Sequence, residues 1–338
     1  MMNHSLKNQC KVSPGTIISG KWHSQNYTII KELGFGANGV VYLAKHNNTL
    51  AALKMSDNGM SITSEVNVLK SFAKVQGSTL GPSLLDVDDW QGPQGRISFY
   101  VMEYIQGPDF LSFIQEKGKS WTSVLFLQLL NDLGQLHENG WVFGDLKPEN
   151  LIVTGPPAKI RCIDVGGTTI QGRAIKEFTE FYDRGYWGLG SRKADPSYDL
   201  FAVAMIMINT AYPKRFSKTT GGISQLREAV RQKPELLKFE KVILKALQGK
   251  YSDAKQMRAD LFDTMVEKKI PNPDPPMRTS GTTSHVSIQP QRKNTKDTQP
   301  ISRQSYRRKK KKSGWMEFLF IAVVLGILYA WYTFNNLP

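Results

Sequence analysis

Two runs of strand-forming residues, Tyr27-Thr-Ile-Ile-Lys31 and Val40-Val-Tyr-Leu-Ala44, are joined by Leu33-Gly34-Phe35-Gly36-Ala37-Asn38-Gly39, and this stretch constrains the fold most. The glycines fall at the tip of a hairpin rather than at the start of a helix, which excludes the dinucleotide-binding loop of a doubly wound sheet. Strand, glycine loop and strand is an arrangement in which a flexible lid covers phosphate groups with backbone N–H groups. Alone, the motif also suits an ordinary glycine-rich turn, so its neighbours decide. A polar turn at Asn47-Asn48 leads into Leu50-Ala-Ala-Leu-Lys54, whose alternating apolar residues predict a third strand ending on a lysine. Glu65 heads Glu65-Val-Asn-Val-Leu69-Lys-Ser-Phe72, with apolar residues at helical spacing, whereas Asp57 lies in a Ser-Asp-Asn-Gly turn composition. Glu65 is therefore the expected partner of Lys54.

Further along, Asp145-Leu-Lys147-Pro-Glu-Asn150 is followed fourteen residues later by Asp164-Val-Gly166. At this spacing Asp145 can accept the proton of an attacking hydroxyl, with Lys147 beside the migrating phosphoryl group and Asn150 and Asp164 holding metal ions. Gly34, Gly36 and Gly39, then Lys54, Glu65, Asp145, Asn150 and Asp164, occur in the order of the Hanks-type protein kinases, which residues 27 to about 265 resemble. Together with the carboxy-terminal segment described below, the chain resembles the membrane-tethered members found in spore-forming bacteria, which would connect it with sporulation.

The resemblance implies an α+β fold of two lobes within a domain at 27–269 that follows an N-terminal extension at 1–26. The small β-rich N-lobe would cover about 27–104 and the larger α-helical C-lobe about 105–269. It also implies ATP as co-substrate with Mg2+ or Mn2+. Leu33, Gly34, Phe35, Gly36, Ala37, Asn38, Gly39, Val40 and Val41 would cover the nucleotide, and Lys54, aligned by Glu65, would grip its phosphates. Phe99-Tyr-Val-Met-Glu103-Tyr-Ile105 resembles the hinge between lobes, where backbone groups of Glu103 and Ile105 would bind adenine and Met102 would guard the back pocket. Asp199 opens a run resembling the buried central helix of the large lobe, whose first aspartate braces the catalytic loop. Lys147 matches the serine/threonine branch, with protein substrates and autophosphorylation.

Several positions depart from that pattern. Phe143-Gly144 stands where most members carry His-Arg, so the usual receptor for a phosphate on the activation segment is missing. Phe143 is expected to fill the apolar site of the histidine, and Val165 replaces a phenylalanine. Phe181-Tyr-Asp-Arg-Gly-Tyr-Trp-Gly-Leu-Gly-Ser191 stands in place of Ala-Pro-Glu, and Lys250-Tyr251 in place of its partner arginine, which leaves peptide docking open. Thr168, Thr169 and Thr179 are candidate phosphosites. Gly144-Asp145 also resembles aminoglycoside and sugar kinases, against which Lys147 argues. A pseudokinase scaffold joining nucleic acid to membrane is the third reading, and retention of Lys54, Asp145, Asn150 and Asp164 argues against it.

With 338 residues and 40% hydrophobic content the chain can build two lobes and leave a tail. Pro271-Asn-Pro-Asp-Pro-Pro276 ends the domain, and 270–314 reads as a disordered basic linker, too poor in apolar residues to fold alone. Phe318 to Phe334 is uncharged and would span about 26 Å as a helix, so 315–334 is expected to cross a bilayer. Trp315 and Trp331-Tyr332 supply interfacial anchors. Arg307 to Lys312 put the kinase on the cytoplasmic side of the cell membrane as a single-pass protein, with 335–338 outside. No secretory signal opens the chain: Met1 to Gly20 lacks an apolar core of signal length.

The net charge is +15, and residues 271–314, with eleven Lys or Arg and two Asp, carry +9 of it. Anionic lipid accounts for Arg307, Arg308, Lys309, Lys310, Lys311 and Lys312, at about 1 kcal/mol per basic residue near the surface. Arg292, Lys293, Lys296 and Arg303 lie among Gln, Asn, Ser and Thr, which suits sequence-independent DNA binding by counterion release through 278–312. Cys10 and Cys162 have no metal-ligand spacing, and Cys162 is expected to pack as a small apolar residue. The five histidines form no ligand cluster in the sequence.

Overall fold

The computed structural model describes residues 10–36, 39–74, 80–93 and 95–266. Ala37 and Asn38, the linker at 270–314 with its basic residues from Arg292 to Lys312, the apolar segment at 315–334 and the tail at 335–338 lie outside the described residues. Among the described residues no helix is long and apolar enough to cross a membrane.

Six strands form the N-lobe sheet: β1 (Ile17–Ser19), β2 (Asn26–Gly36), β3 (Gly39–His46), β4 (Thr49–Ser56), β5 (Leu84–Gly92) and β6 (Gly95–Glu103). They pair antiparallel in the order β1-β2-β3-β4-β6-β5. His46 pairs with Thr49, so Asn47-Asn48 is a two-residue turn, with φ of 45° and 65° at its residues. Asparagine tolerates that left-handed backbone better than most residues, which is why the polar pair turns the chain here. β4 runs two residues beyond the lysine predicted to end it.

Because successive side chains of a strand point to opposite faces, β4 and β6 divide the lobe's interior in two. Ala51, Leu53 and Met55 join Phe99 and Val101 in an outer core with Ile18, Tyr27, Ile29, Val40 and Tyr42. Ala52, Tyr100 and Met102 face the opposite way, into a core continuous with helix α1 (Gly59–Lys74) and the C-lobe. Lys54 has the parity of Ala52. Asn58 starts α1 by accepting from the N–H of Met60 at 3.1 Å and of Ser61 at 3.3 Å, so the helix opens earlier than the Glu65 run suggests. Ile62, Val66, Leu69 and Phe72 form its apolar stripe against the sheet. Residues 10–26, read as an extension, hold to the same lobe. Ile17 pairs with Thr28, Cys10 and Ile18 are buried, and the Tyr42 hydroxyl donates to the Cys10 carbonyl at 2.9 Å.

The C-lobe is helical, comprising α2 (Phe110–Lys117), α3 (Ser120–Glu138), α4 (Arg184–Trp187), α5 (Pro196–Asn209), α6 (Gly222–Arg231), α7 (Pro234–Leu237), α8 (Glu240–Leu247) and α9 (Ala254–Val266). Every residue of α5 from Tyr198 to Asn209 is buried, as its nearly unbroken apolar run requires. Two short antiparallel pairs accompany the helices, β7 (Trp141–Val142) with β10 (Thr169–Ile170) and β8 (Leu151–Thr154) with β9 (Lys159–Cys162). The β8–β9 pair sets the site: Leu151 pairs with Cys162, and the Ile163 N–H donates to the Asn150 carbonyl at 3.0 Å. Asn150 and Asp164 are thereby neighbours across the hairpin's open end.

Candidate active site

Lys54 and Glu65 meet inside the N-lobe, Nζ to Oε2 at 2.6 Å, with side chains only 9% and 4% exposed. The same Glu65 oxygen accepts the Tyr100 hydroxyl at 2.7 Å, and its other oxygen accepts from Ser61 at 3.3 Å. Burial, and then the Glu65 charge, push the Tyr100 phenol well above its ordinary range, so it remains a donor. A buried charge pair needs such additional hydrogen bonds to offset desolvation.

Below the sheet, Asp199 is fully enclosed at the start of α5 and accepts from the N–H of Phe143 at 2.7 Å and of Gly144 at 2.9 Å, and from His137 Nε2 at 2.8 Å. These bonds fix the loop that carries Asp145. Phe143 is 1% exposed in the main core, and Val165 is buried in the same core. Asn150 Nδ2 donates to the Asp145 carbonyl at 3.0 Å across the turn Pro148–Asn150. Lys147 Nζ lies 2.5 Å from Asp145 Oδ2 and 3.3 Å from Thr179 Oγ1, and Thr179 Oγ1 lies 3.2 Å from Asp145 Oδ1.

Lys54, Asn150 and Asp164 line one cavity of about 330 Å3 with Leu33, Gly34 and Val41 above and Glu103 and Ile105 at the hinge. Asp145 and Lys147 line an adjoining open cleft of about 740 Å3 with Glu65 and Thr179. Val40 points away, into the outer core, and Gly39 owes its identity to packing: a Cβ there would stand 2.1 Å from the Met55 carbonyl oxygen at a φ of 127°. The Glu103 side chain turns from the cavity to Arg161, at 2.6 and 2.9 Å, and Arg161 also donates to the Gly81 carbonyl at 2.7 Å. Arg161, ahead of the opposing effect of burial, holds the Glu103 carboxyl below its ordinary range. Asn150 and Asp164 offer oxygen donors side by side at the cavity floor, the donor type hard divalent cations take.

The three candidate phosphosites differ in kind. Thr168 and Thr169 are 0% and 1% exposed, because the chain around β10 is pinned under the catalytic loop, and this burial removes them as acceptors in this conformation. Thr179 instead bridges Asp145 and Lys147. Sequence reasoning missed that bridge because its partners are 34 and 32 residues away.

The segment without Ala-Pro-Glu has its own fastening. Asp183 is fully buried, and accepts from Gly185 N at 3.0 Å, Tyr186 N at 2.9 Å, Tyr198 Oη at 3.0 Å and Arg192 Nε at 2.8 Å. Arg184 reaches Asp195 at 2.6 Å and the carbonyls of Ser191 and Lys193 at 2.6 and 3.1 Å. Phe181, Tyr182, Trp187 and Phe216 pack edge to face around them. At the missing arginine's place, Tyr251 is buried and donates to Asp260 at 3.0 Å. One packing solution has replaced another.

Both cysteines are free and buried. Burial chiefly pushes the Cys10 thiol up to about 11 and Cys162 well above its ordinary value. The reading of the histidines needs one amendment, since ligand atoms of His23, Asp86 and Asp88 lie within 4.8 Å of one another. Their oxygens are engaged, however: Asp88 accepts from the N–H groups of Trp22 at 2.9 Å, His23 at 2.8 Å and Asp89 at 2.7 Å, and Asp86 from Tyr27 at 2.7 Å. The group fastens the turn before β2 onto β5.

Comparison with known proteins agrees with this geometry. The family model described as protein kinase domain matches residues 27–284. The serine/threonine-protein kinase YabT of Bacillus subtilis is 58% identical over 266 residues, which are 78% of this chain and 79% of that protein. A probable serine/threonine-protein kinase of Clostridium acetobutylicum is 30% identical over 146 residues, 41% of this chain and 21% of that protein. Among solved structures, the kinase domain of PknI from Mycobacterium tuberculosis superposes with a TM-score of 0.53 at 17% identity, covering 75% of this chain and 100% of that one, a likeness of fold alone. With Lys54 on Glu65, Asp145 on Lys147 and the match over 27–284, the chain belongs to the protein kinase family.

Proposed function

We propose that the chain transfers the γ-phosphoryl group of ATP to serine or threonine side chains of proteins, itself included. The observation that carries this reading is the contact of Lys147 and Thr179 with the two oxygens of Asp145, which leaves a cation and a hydroxyl beside the base. Lys54, held by Glu65, would draw the phosphates inward beneath Leu33, Gly34 and Val41, and Asp145 would orient the incoming hydroxyl and take its proton. Asn150 and Asp164 would hold Mg2+ or Mn2+, which when bound neutralises charge on the nucleotide phosphates. YabT's description as a serine/threonine-protein kinase supports the residue type phosphorylated.

The proposal extends beyond the described residues. The segment at 315–334 would anchor the protein in the cell membrane with the kinase on the cytoplasmic side, and the basic residues from Arg292 to Lys312 would engage DNA or anionic lipid. Their support is composition: charge concentrated in an apolar-poor stretch next to an uncharged one.

Incubation with labelled ATP and a generic protein substrate tests the activity. Phosphoserine or phosphothreonine should appear with wild-type protein and vanish with Asp145→Ala. Exclusive phosphotyrosine, or transfer by Asp145→Ala at the wild-type rate, would refute it.

A further inference from the structure

Thr179 is held on one side by Asp145 and Lys147, and the residue before it, Phe178, lies against Arg192. Its guanidinium lies 4.0 Å over the ring of Phe178, the residue before Thr179. The same group reaches the enclosed Asp183 carboxylate at 2.8 Å through Nε and 2.7 Å through Nη2. Its carbonyl accepts the Ile175 N–H at 2.9 Å, and Lys193 bridges to Ala174. Arg192 therefore touches the segment before Thr179, the segment after it and the residue next to it, and it touches none of the groups that handle phosphate.

We propose that Arg192 is a positioning residue for phosphoryl transfer: it clamps Phe178 against Asp183 so that Thr179 stays in reach of Asp145 and Lys147, and this fixed cation orders the segment without a phosphate. The proposal rests on the kinase reading of the site. It answers the vacancy left at position 144, where glycine offers no cation to a phosphorylated segment. The Arg192 side chain is itself 44% exposed, but its ion pair to a carboxylate with 0% exposed side chain, joined to a stacked ring, holds the guanidinium in one place.

The test is a double-mutant cycle on purified protein with saturating ATP and a peptide or protein acceptor. Arg192→Ala and Phe178→Ala should each lower kcat, the arginine change by about 10- to 100-fold, the range that small misplacements of a catalytic group produce. The KM for ATP should stay within about two-fold, because Lys54 and the hinge are untouched. Arg192→Lys keeps the charge on Asp183 but loses the plane over Phe178, and should fall between wild type and Arg192→Ala. On a Thr179→Ala background the same substitutions should cost less than about two-fold more, since groups acting through one another are not additive. A full-sized additional loss on that background overturns the proposal, as does an unchanged kcat in Phe178→Ala. Should Arg192→Ala fail to fold, Phe178→Ala, at a residue 40% exposed, carries the same cycle. Loss of all transfer in wild type, with Asp145→Ala equally silent, would instead bring down the kinase reading itself.

Discussion

A side chain at position 144 would enter space held by the Gly167 carbonyl oxygen, 2.6 Å from where its Cβ would stand, with φ at 86°. The arginine usual to the family cannot be restored there by one substitution. Gly144→Arg should lower the melting temperature by about 2–8 °C, from about 1–2 kcal/mol of left-handed backbone cost plus the clash. It should confer no dependence on phosphorylation, checked by thermal melts and by activity before and after phosphatase. At Glu65, Tyr100→Phe removes a hydrogen bond to a charged group. A loss of about 1–2 kcal/mol, with a rise in the KM for ATP, is expected from denaturant titration and steady-state kinetics. Glu103 gives a pH signature. Its carboxyl is held below its ordinary range by Arg161, so the pair stabilises the fold above the unfolded value near pH ~4.3 and loses that contribution as pH falls through the lower folded value. Melts of wild type and Glu103→Gln should differ at pH ~7 and converge in acid below pH ~4.

At the scale of elements, what could be read from the sequence was what the chain encodes locally. The glycine hairpin, the strand bearing Lys54, the helix bearing Glu65 and the turn from Asp145 to Asn150 each announce themselves by spacing within a dozen residues or so. The stretch from Thr168 to Asp195 has no such period. Its conformation comes from pairs such as Arg184 with Asp195, Arg192 with Asp183 and Thr179 with Asp145, which no repeat marks. Burial was equally illegible there, and Thr168 and Thr169 look like any exposed loop threonines until β10 is seen paired with β7. Trp187, 1% exposed among Phe181, Tyr186 and Phe216, should be the costliest side chain of this stretch. Trp187→Ala is expected to cost about 3–5 kcal/mol by chemical denaturation.

For the whole molecule, the lobes share one core while the outer face of the N-lobe sheet has its own, so cleft and outer face answer to different residues. Substitutions in the outer core should lower stability with little change in the KM for ATP, and those on the cleft side should alter both. If the basic tail gathers kinases on DNA, stimulation should be bell-shaped in DNA concentration, because excess DNA separates the molecules. Replacing Arg292, Lys293, Lys296, Arg303 and Arg307 to Lys312 by Gln should abolish it while sparing basal transfer. Equal stimulation of that variant, or binding by the parent to anionic vesicles alone, would assign the tail to the membrane.

The alternation along β4 also limits how such a gene can change length. Deleting one residue between Thr49 and Leu53 would exchange the faces, turning Lys54 toward Phe99 and Val101 and the side chains of Leu53 and Met55 toward the nucleotide cavity. Deleting two would keep the faces but shift every cross-strand partner. Insertions at Asn47-Asn48 leave both undisturbed. A library of insertions and deletions through 45–56 should therefore return active clones at the turn and almost none in the strand, so that length variation among working descendants gathers at a single dipeptide.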